Sequence, residues 1–575
     1  MILKSLYDYY RIHQKDKDSE GSPLFPTYGY KEQRVSYQLS VNLDGTFNSF
    51  SIVDKKLFLP DIGALGAVRS RNIISYHFYD NEKYLLGSSI NKPKKSFNPH
   101  TDMEKFEEFL RVHQEAFDKT KNKYLGAVLS FLNNWKDKVS IDDAAEAITE
   151  TIKINKYKGG PIIISVEDGS NNILLHEQKD LLKYWENYAI KYSQNSIGLD
   201  IVTGKKSNII RMHGKIKGIR GTVAAGGCLI SYNKPSHNSY GGSPVSCEVE
   251  FGYRTVLNYF MDREGIHRSD IGEDSIVFWT SSKKNNIFCR IFLTLLNGPK
   301  EEEETEAIIK NALSSINDGR FPDKLPEDER FCLLVLSGNK GRIYIRDYIE
   351  HSLKSIVDNV YLHCQDIKLE ENPTPSLRSL VWTIVPKGTK SAPPKGLYKT
   401  LLQAILEGRQ YPYNMFIRII EICLKPKGIT RSRVSFLKGY LNRNCRQENR
   451  KEFTVSIDKE REDIGYLLGR MLSVADLIQE RSIGRRPNSC FSDTFSASLG
   501  TATLTAFTYI NNKVKAHLSK LQKKNEGGYL RKEYSSIIQK INDIPAHLTQ
   551  EGKAAFVLGF YHQNEERYKN NKTTN

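Results

Sequence analysis

The residues best suited to chemistry form a basic, glycine-rich stretch in the middle of the chain. No acidic residue occurs between Asp200 and Glu248. Seven cations lie within that interval: Lys205, Lys206, Arg211, Lys215, Lys217, Arg220 and Lys234. Such a tract attracts phosphate groups, and its glycines let the backbone approach a partner closely. The pattern favours a surface that binds a polyanion, with a solvated basic loop as the alternative.

Residue types within this stretch suggest two separate roles. Arg and Lys fix a nucleic acid through its phosphates, whereas Tyr and Asn stack on bases or bond to their edges. The predicted phosphate contacts are Arg211, Lys215, Lys217 and Arg220. The predicted base-facing group is Tyr232, Asn233, Asn238 and Tyr240, and Lys234 is a further predicted contact to the nucleic acid. We therefore expect this stretch to recognise nucleic acid.

Two further basic groups lie outside this stretch. In 68-VRSRN-72, Arg69 and Arg71 alternate and Asn72 follows them, so these side chains can face a partner while the neighbouring aromatics pack. Further along, a Gly-Pro-flanked loop carries Arg485 and Arg486, and one helical face carries Lys513, His517, Lys520 and Lys524, with Lys515 nearby. The helical spacing predicts either a solvated face or a surface that follows a single strand.

The usual motifs of enzymes do not occur in the sequence. The segment 198-GLDIVTGKKS-207 departs from the glycine spacing of a phosphate-binding loop. The 13 histidines form no paired motif, and the eight cysteines lack the close spacing of a zinc site or a disulfide framework. We predict no catalytic residue, no metal and no cofactor, although residues distant in sequence can still converge in space.

Length and charge limit the class of protein. The chain has 575 residues, with 84 basic against 67 acidic side chains and a formal net charge of +17. Such a length exceeds one hydrophobic core, and the positive charge favours a polyanionic partner. The N-terminus lacks the apolar core of a signal peptide, and no window is long and apolar enough for a membrane helix. We expect a cytoplasmic protein with two or more domains.

Hydrophobic periodicity predicts a mixed α+β fold. Alternation at Val35, Tyr37, Leu39 and Val41, followed by Asp44-Gly45, predicts a β-hairpin. Helical spacing predicts a compact bundle made of the segments 464–480, 495–524, 529–543 and 549–570. We therefore predict a β-containing N-terminal and central body over 1–455, followed by an all-α C-terminal helical bundle over 456–575.

Short segments spread along the chain carry a family resemblance. They include 79-YDNEKYLLG-87, 214-GKIKGIRG-221, 229-LISYN-233, 411-YPYNMF-416, 466-YLLGRM-471 and 543-DIPAHLTQEGKAAFVLGFYHQ-563. In order and span, these segments resemble the large subunit of the type I-C CRISPR Cascade complex, the Csd1-type family. The chain departs from the family in the short spacer between Tyr240 and Pro244, and in VRSRN at the place of a Lys-Arg-Thr-Ser-Gly element.

The resemblance implies a non-catalytic subunit in antiviral defence. Large subunits of this family lie at the 5′ end of the crRNA-bearing complex and recognise a short protospacer-adjacent motif (PAM) in duplex DNA. They also help to start strand separation and R-loop formation, and they offer a docking surface to a helicase-nuclease. The implied partners are target DNA, crRNA, the helicase-nuclease, and the backbone, crRNA-end-processing and small subunits.

The resemblance also assigns the basic groups. The residues from Arg69 to Asn72 and from Arg211 to Tyr240 would contact the PAM duplex, and the C-terminal cations would support the non-target strand. The C-terminal bundle resembles a small subunit, and an internal translation start between residues 445 and 471 is expected to produce it separately. Two alternatives stay open, namely a nucleic-acid-processing nuclease subunit and a purely architectural scaffold.

Overall fold

The computed structural model describes most of the chain. The described residues are 1–17, 23–62, 72–91, 96–98, 101–137, 142–154, 160–192, 196–210, 213–230, 244–262, 265–281, 286–298, 328–370, 374–385, 392–394, 396–485 and 487–572. Strands in the N-terminal and central regions are followed by helices through the C-terminal region, which confirms the predicted α+β class. Within the described ranges, no helix carries an apolar stretch that would span a bilayer.

The chain divides into two compact units. The first unit comprises Met1–Gly218, Thr222–Tyr259 and Asn339–Ile343. The second comprises Ile219–Gly221, Phe260–Gly338 and Tyr344–Asn575. Each unit is therefore built from segments that are distant in sequence.

A five-stranded sheet organises the first unit. The strands of this unit are β1 Tyr30–Asn42, β2 Phe47–Pro60, β3 Tyr79–Asp80, β4 Ser89–Asn91, β5 Ser96–Asn98, β6 Ile162–Asp168, β7 Asn171–Leu174, β8 Ser196–Leu199 and β9 Lys206–Ile209. The main sheet has the order β2-β1-β6-β3, and β7 pairs with β6. Strands β4 and β5 form one small hairpin, and β8 and β9 form another.

The predicted β-hairpin is confirmed within that sheet. Strands β1 and β2 are antiparallel, and Gly45 takes a φ of 86° at the turn between them. Leu39 and Val41 are fully buried, because alternate residues of a strand point to the same face. Strand β1 pairs on its other side with β6 in parallel, so the hairpin forms part of the core.

Seven helices within the described residues belong to the first unit or begin in it. They are α1 Ile2–His13, α2 Glu82–Leu85, α3 Met103–Thr120, α4 Lys123–Lys136, α5 Asp142–Ile154, α6 Lys179–Tyr192 and α7 Cys247–Phe260. Trp135 of α4 and Trp185 of α6 are fully buried, and each indole N–H donates to a backbone carbonyl. Helix α7 carries the contacts that position the basic stretch.

The second unit combines a four-stranded sheet with many helices. Its strands are β10 Arg268–Ile271, β11 Asp274–Thr280, β12 Arg330–Asn339 and β13 Arg342–Ser352, in that order across the sheet. Its described helices before residue 456 are α8 Asn286–Asn297, α9 Leu353–Ile367, α10 Leu377–Trp382, α11 Leu397–Leu406, α12 Tyr413–Cys423 and α13 Arg431–Gln447. The tip of the β12–β13 hairpin, Asn339–Ile343, groups with the first unit.

The C-terminal region is helical, as predicted, but with one additional break. Its helices are α14 Ile464–Ile483, α15 Phe491–Thr501, α16 Thr503–Lys523, α17 Gly528–Gln539 and α18 Gln550–Lys572. The predicted segment 495–524 divides at Ala502, whose φ of −138° and ψ of 59° leave helical geometry. The backbone N–H of Thr503 donates to the carbonyl of Ala546 instead of continuing one helix.

Helices α14 and α18 approach each other through glycines. An ideal Cβ on Gly469 would lie 2.0 Å from the carbonyl oxygen of Phe556. On the facing helix, a Cβ on Gly559 would lie 2.2 Å from the carbonyl oxygen of Tyr466. Because packed atoms do not approach so closely, this helix spacing requires glycine at both positions.

One hydrophobic core extends through the second unit, from Ile276 in β11 to Phe560 in α18. Polar contacts add to it, since Glu551 of α18 accepts from Asn444 at 2.7 Å and from Arg450 at 2.8 Å. The helices after residue 456 therefore share a unit with the helices before it. This grouping does not test the predicted division into 1–455 and 456–575, which stays a prediction.

Candidate nucleic-acid interface

Helix α7 holds the start of the basic loop. Ser246 precedes the helix, and its Oγ accepts from the backbone N–H of Val249 at 3.3 Å, which satisfies one of the exposed donors of the first turn. One turn into the helix, the buried carboxylate of Glu250 accepts from the Gly214 N–H and from Arg254 Nε, both at 2.8 Å. The loop is thus tied to the helix at Gly214.

A second contact fixes the two lysines that follow. Asn258 Oδ1 accepts from the backbone N–H of Lys217 at 2.9 Å, and its Nδ2 donates to the carbonyl of Lys215 at 3.5 Å. Glu250, Arg254 and Asn258 are spaced by four residues, so all three lie on one face of α7. These contacts use the loop backbone and leave both lysine ammonium groups exposed.

The loop also forms a small ladder of three backbone segments within the first unit. Ile216 and Gly227 exchange two hydrogen bonds, of 2.8 and 3.0 Å. Cys228 N–H donates to the carbonyl of Gly341 at 3.0 Å, and Ile343 N–H donates to that of Cys228 at 3.1 Å. The order of the segments is therefore 215–217, 226–228 and 340–343. We call this arrangement the loop ladder.

The loop ladder has a buried face and an exposed face. Ile216 and Ile343 are buried, and an ideal Cβ on Gly227 would meet Ile343 Cγ1 at 3.0 Å, so these three residues share the inner face. Lys215 and Lys217 flank Ile216 and are exposed, as the two-residue alternation of an extended chain requires. The lysines thus project from a rigid backbone.

The acidic residues at the two ends of the basic tract form hydrogen bonds with other groups. Buried Asp200 accepts from the backbone N–H of Val202 and from Thr203 Oγ1, at 3.1 and 2.6 Å. Glu248 accepts from Tyr7 at 2.6 Å, which raises the pKa of that phenol further above its usual value, where burial has already placed it. Among the described residues, neither Lys215 nor Lys217 forms an ion pair, so their charges are available to a partner.

Arg220 has a different environment from the two lysines. It lies in the second unit, where its guanidinium forms an ion pair with Asp270 at 3.6 Å and donates to the carbonyl of Gly272. Its backbone N–H donates to Ser275 Oγ at 3.2 Å. The guanidinium is still half-exposed. As a predicted phosphate contact, Arg220 must share its charge with an acid of its own fold.

Burial keeps His213 neutral at the start of the loop. Its Nδ1 lies 2.6 Å from the Tyr253 hydroxyl of α7. Burial, with Arg254 nearby, lowers the pKa of His213 to about 4. Burial also raises the pKa of the Cys228 thiol, which disfavours a reactive thiolate. This part of the loop is suited to holding a shape and carrying charge.

Several predicted site residues lie outside the described ranges. They are Arg69, Arg71, Arg211, Tyr232, Asn233, Lys234, Asn238, Tyr240 and Arg486. Asn72 is described and exposed. The base-facing part of the proposed site therefore stays a prediction from sequence.

The predicted C-terminal cations are exposed where they are described. Lys513, Lys515 and Lys520 project from α16, and Lys524 follows that helix directly. Arg485 is exposed after α14, next to Gly484. Among the described residues, none of these five forms an ion pair. The sequence explains this in part, since no acid occurs between Asp493 and Glu526.

Sequence reasoning missed Tyr509 on the same helix. Its side chain is 49% exposed, its ring packs on Phe495 at 5.2 Å, and Lys513 Nζ lies 5.4 Å from its centroid. His517 behaves differently from its lysine neighbours, because its Nδ1 lies 2.5 Å from Ser482 Oγ. Burial and the nearby Lys520 lower the pKa of His517. The spacing of Tyr509 and Lys513 was the signal that could have identified the aromatic residue.

Sequence reasoning also missed the hairpin tip Asn339–Ile343, which completes the loop ladder. The signal was 338-GNKGR-342, a basic turn between two apolar runs.

Among the described residues, no group of three or more His, Cys, Asp or Glu side chains is arranged to hold a metal ion. The described geometry therefore presents exposed cations on rigid elements, which is a means of contacting phosphates.

Comparison with known proteins gives a family assignment. Residues 6–568 match the family described as CRISPR-associated protein (Cas_Csd1). A comparison with curated proteins found no match. The family match covers nearly the whole chain, which includes the loop ladder and the C-terminal helices. The chain therefore belongs to the Cas_Csd1 family of CRISPR-associated proteins, the Cascade subunits that its sequence resembles.

Proposed function

We propose that the chain is the non-catalytic large subunit of a crRNA-guided type I-C Cascade complex. In this role it recognises the PAM in duplex DNA, promotes strand separation and R-loop formation, supports the non-target strand and helps to recruit the helicase-nuclease. Guide pairing reads most of the target in such complexes, so the protein needs to read only a few base pairs and to hold phosphates. Its proposed location is the cytoplasm, and its proposed nucleic-acid partners are target DNA and crRNA.

The observation that carries this proposal is the pair of exposed lysines on the loop ladder. Lys215 and Lys217 have no acidic partner among the described residues, and Asn258 holds the backbone on both sides of Ile216. Phosphate contacts from such positions fix the register of a duplex, while base contacts decide its sequence. We assign the base contacts to Asn233 and Tyr240, on the sequence pattern alone.

Binding to a PAM library tests the proposal. The assembled complex is mixed with short duplexes that share one target and carry randomised PAM positions, and bound sequences are counted. Lys215→Gln with Lys217→Gln should weaken binding by a similar factor for every PAM, because phosphates carry no sequence information. Asn233→Ala should instead flatten the preference among PAM sequences. An unchanged preference in Asn233→Ala would contradict the role of that residue.

The same reactions separate this proposal from its alternatives. Without the helicase-nuclease, end-labelled duplex and repeat RNA should stay intact on a denaturing gel, whereas cleavage by the purified subunit would favour the nuclease alternative. Wild-type binding without any PAM preference would favour an architectural scaffold.

A further inference from the structure

Two cations on the tip of the β12–β13 hairpin have no assigned role. Lys340 and Arg342 are exposed, and among the described residues neither side chain forms an ion pair or a hydrogen bond. Lys340 takes a φ of 55°, and together with Gly341 it makes the tight turn of the tip. The sequence places these residues far from Lys215 and Lys217.

The backbone of the loop ladder places Arg342 on the same surface as Lys215 and Lys217. Cys228 pairs with Arg342 in parallel, and paired residues of neighbouring strands point to the same face. Ile216 pairs with Gly227, so Cys228 and the flanking Lys215 and Lys217 lie on the face opposite to Ile216. Arg342 therefore projects from the exposed face with the two lysines.

The spacing of these cations follows from the ladder. Neighbouring strands lie about 4.8 Å apart, so the outer segments 215–217 and 340–343 are separated by roughly 10 Å. Lys340 is tied to the same ladder, because its carbonyl accepts from the Val223 N–H at 3.0 Å. Like charges fixed at such spacing repel one another, and a polyanion relieves that repulsion.

The chemistry of this face favours a duplex over a single strand. Proteins that bind single strands use exposed aromatic rings on which bases stack. The ladder segments 215–217, 226–228 and 340–343 contain no aromatic residue, and the first exposed ring on β13, that of Tyr344, lies just beyond them. Rigid backbone segments with fixed cations suit the regular phosphate spacing of a double helix.

We propose that Arg342 and Lys340 form one phosphate-binding face for duplex DNA together with Lys215 and Lys217. This inference rests on the proposed function, since it names further contacts of the same site. The hairpin tip thus supplies half of the cations that hold the duplex. Its contribution is independent of base sequence.

Charge reversal in the assembled complex tests this face. Arg342→Glu and Lys340→Glu are compared with Lys55→Glu, a matched control because Lys55 is an exposed lysine of β2 and forms no ion pair among the described residues. Each hairpin variant should bind duplex DNA severalfold more weakly, by the same factor for every PAM. The slope of log affinity against log salt should fall by about 1 for each lost phosphate contact.

The outcomes separate the inference from the proposed function. If Arg342→Glu and Lys340→Glu bind duplex as Lys55→Glu does, the phosphate-binding face is wrong. A selective change of PAM preference at constant salt slope would overturn it as well, because that result indicates base contacts. Wild-type binding without PAM preference would contradict the proposed function, whereas weaker binding of the hairpin variants would still support the face.

Folding of the variants is controlled in two ways. Size-exclusion chromatography checks that each variant enters the complex. Arg342→Lys keeps the charge and the backbone bonds of the ladder, so it should retain most of the wild-type affinity and salt slope. Loss of binding in Arg342→Lys equal to that in Arg342→Glu would show that charge is not the cause.

Discussion

Lys217 and Arg220 are close in sequence and carry the same charge, yet the fold treats them differently. Arg220 pairs with Asp270 and donates to a backbone carbonyl. Lys217 gives only its backbone N–H to Asn258, and its ammonium group is exposed. A phosphate that approaches Arg220 must compete with the Asp270 carboxylate, whereas a phosphate that approaches Lys217 meets an ammonium group that is unpaired among the described residues. Under the proposed function, Lys217 should therefore contribute more to DNA binding than Arg220. Composition alone treats the two residues as equal.

Asp476 is a residue whose ionisation works against the fold. Its carboxylate accepts from the Ser492 N–H at 3.0 Å, at the start of α15. Burial nonetheless raises the pKa of Asp476 to about 6, above the usual value of an aspartate. The cavity beside it, of about 290 Å³, is lined by further ionisable residues: Cys423, Lys425, Lys427, Glu480, Cys490, Asp493 and Arg567.

We predict a pH effect on α15 from this raised pKa. A raised folded-state pKa favours folding below the unfolded pKa, near 3.8, and this contribution is lost as pH rises through about 6. Exchange protection of the α15 amides, corrected for intrinsic rates, should therefore fall between pH 5 and pH 7.5. Asp476→Asn should remove most of that change.

The exposed Asp137 provides a control for this measurement. Asp137→Asn should leave the protection profile of α15 as in the wild type. If Asp476→Asn and wild type lose protection equally between the two pH values, Asp476 is not the titrating group.

At the scale of elements, helix α7 positions the backbone of the basic loop. Its residues Glu250, Arg254 and Asn258 share one face, and two of them hold the loop backbone. The same logic applies between helices, where Gly469 and Gly559 set the separation of α14 and α18. Rigid placement comes from backbone contacts in both cases.

Gly469→Ala should weaken the second unit. The added methyl would meet the Phe556 carbonyl oxygen at 2.0 Å, so the helices must separate. We expect a loss of about 1 to 3 kcal/mol in unfolding free energy, as for other overpacked sites. Thermal unfolding of the full chain measures it as a lower transition temperature.

Gly528→Ala is the matched control for this change. A Cβ at Gly528, in the first turn of α17, would have no atom within 4 Å. Alanine favours helix over glycine by about 1 kcal/mol, so this variant should unfold at the wild-type temperature or above it. Equal transition temperatures for Gly469→Ala and wild type would contradict the role of close packing.

Local sequence patterns predicted helices and strands better than they predicted which distant segments pair with each other. The hairpin at Asp44-Gly45 follows from spacing within one segment and is confirmed. The lysines of α16 are exposed, and their role stays a prediction. The break at Ala502 was missed because Thr503 pairs with Ala546, which is distant in sequence. The hairpin tip Asn339–Ile343 was missed for the same reason. Pairing between distant segments depends on tertiary packing, which periodicity does not contain.

For the whole molecule, the net charge of +17 includes two groups of exposed cations within the described ranges, and their surroundings differ. The loop ladder carries cations on extended backbone without aromatics. Helix α16 carries the exposed Lys513 and Lys520, and Lys513 Nζ lies 5.4 Å from the ring centroid of the half-exposed Tyr509. Cations with an aromatic ring suit a single strand, on whose bases the ring can stack. Under the proposed function, we expect the loop ladder to contact a duplex and the α16 surface to contact a displaced strand.

Neutralising the α16 surface should weaken DNA binding without changing sequence preference. In Lys513→Gln with Lys520→Gln, the slope of log affinity against log salt should fall by about 0.7 for each lost contact with a single strand. Filter binding of the assembled complex to R-loop-forming duplex at several salt concentrations measures this slope. The double control Lys55→Gln with Lys153→Gln, on β2 and α5, should keep the wild-type slope, and an equal fall in both doubles would contradict a specific role of α16.

The glycine contact joins α14 to α18, and three other helices separate these two along the chain. A ribosome therefore makes Gly469 long before Phe556 exists to cover it. While α15, α16 and α17 are being synthesised, the face of α14 that meets α18 stays open to water. We expect the helical region to close only after α18 is made, so a nascent chain stalled before residue 550 would leave this face of α14 without its partner helix.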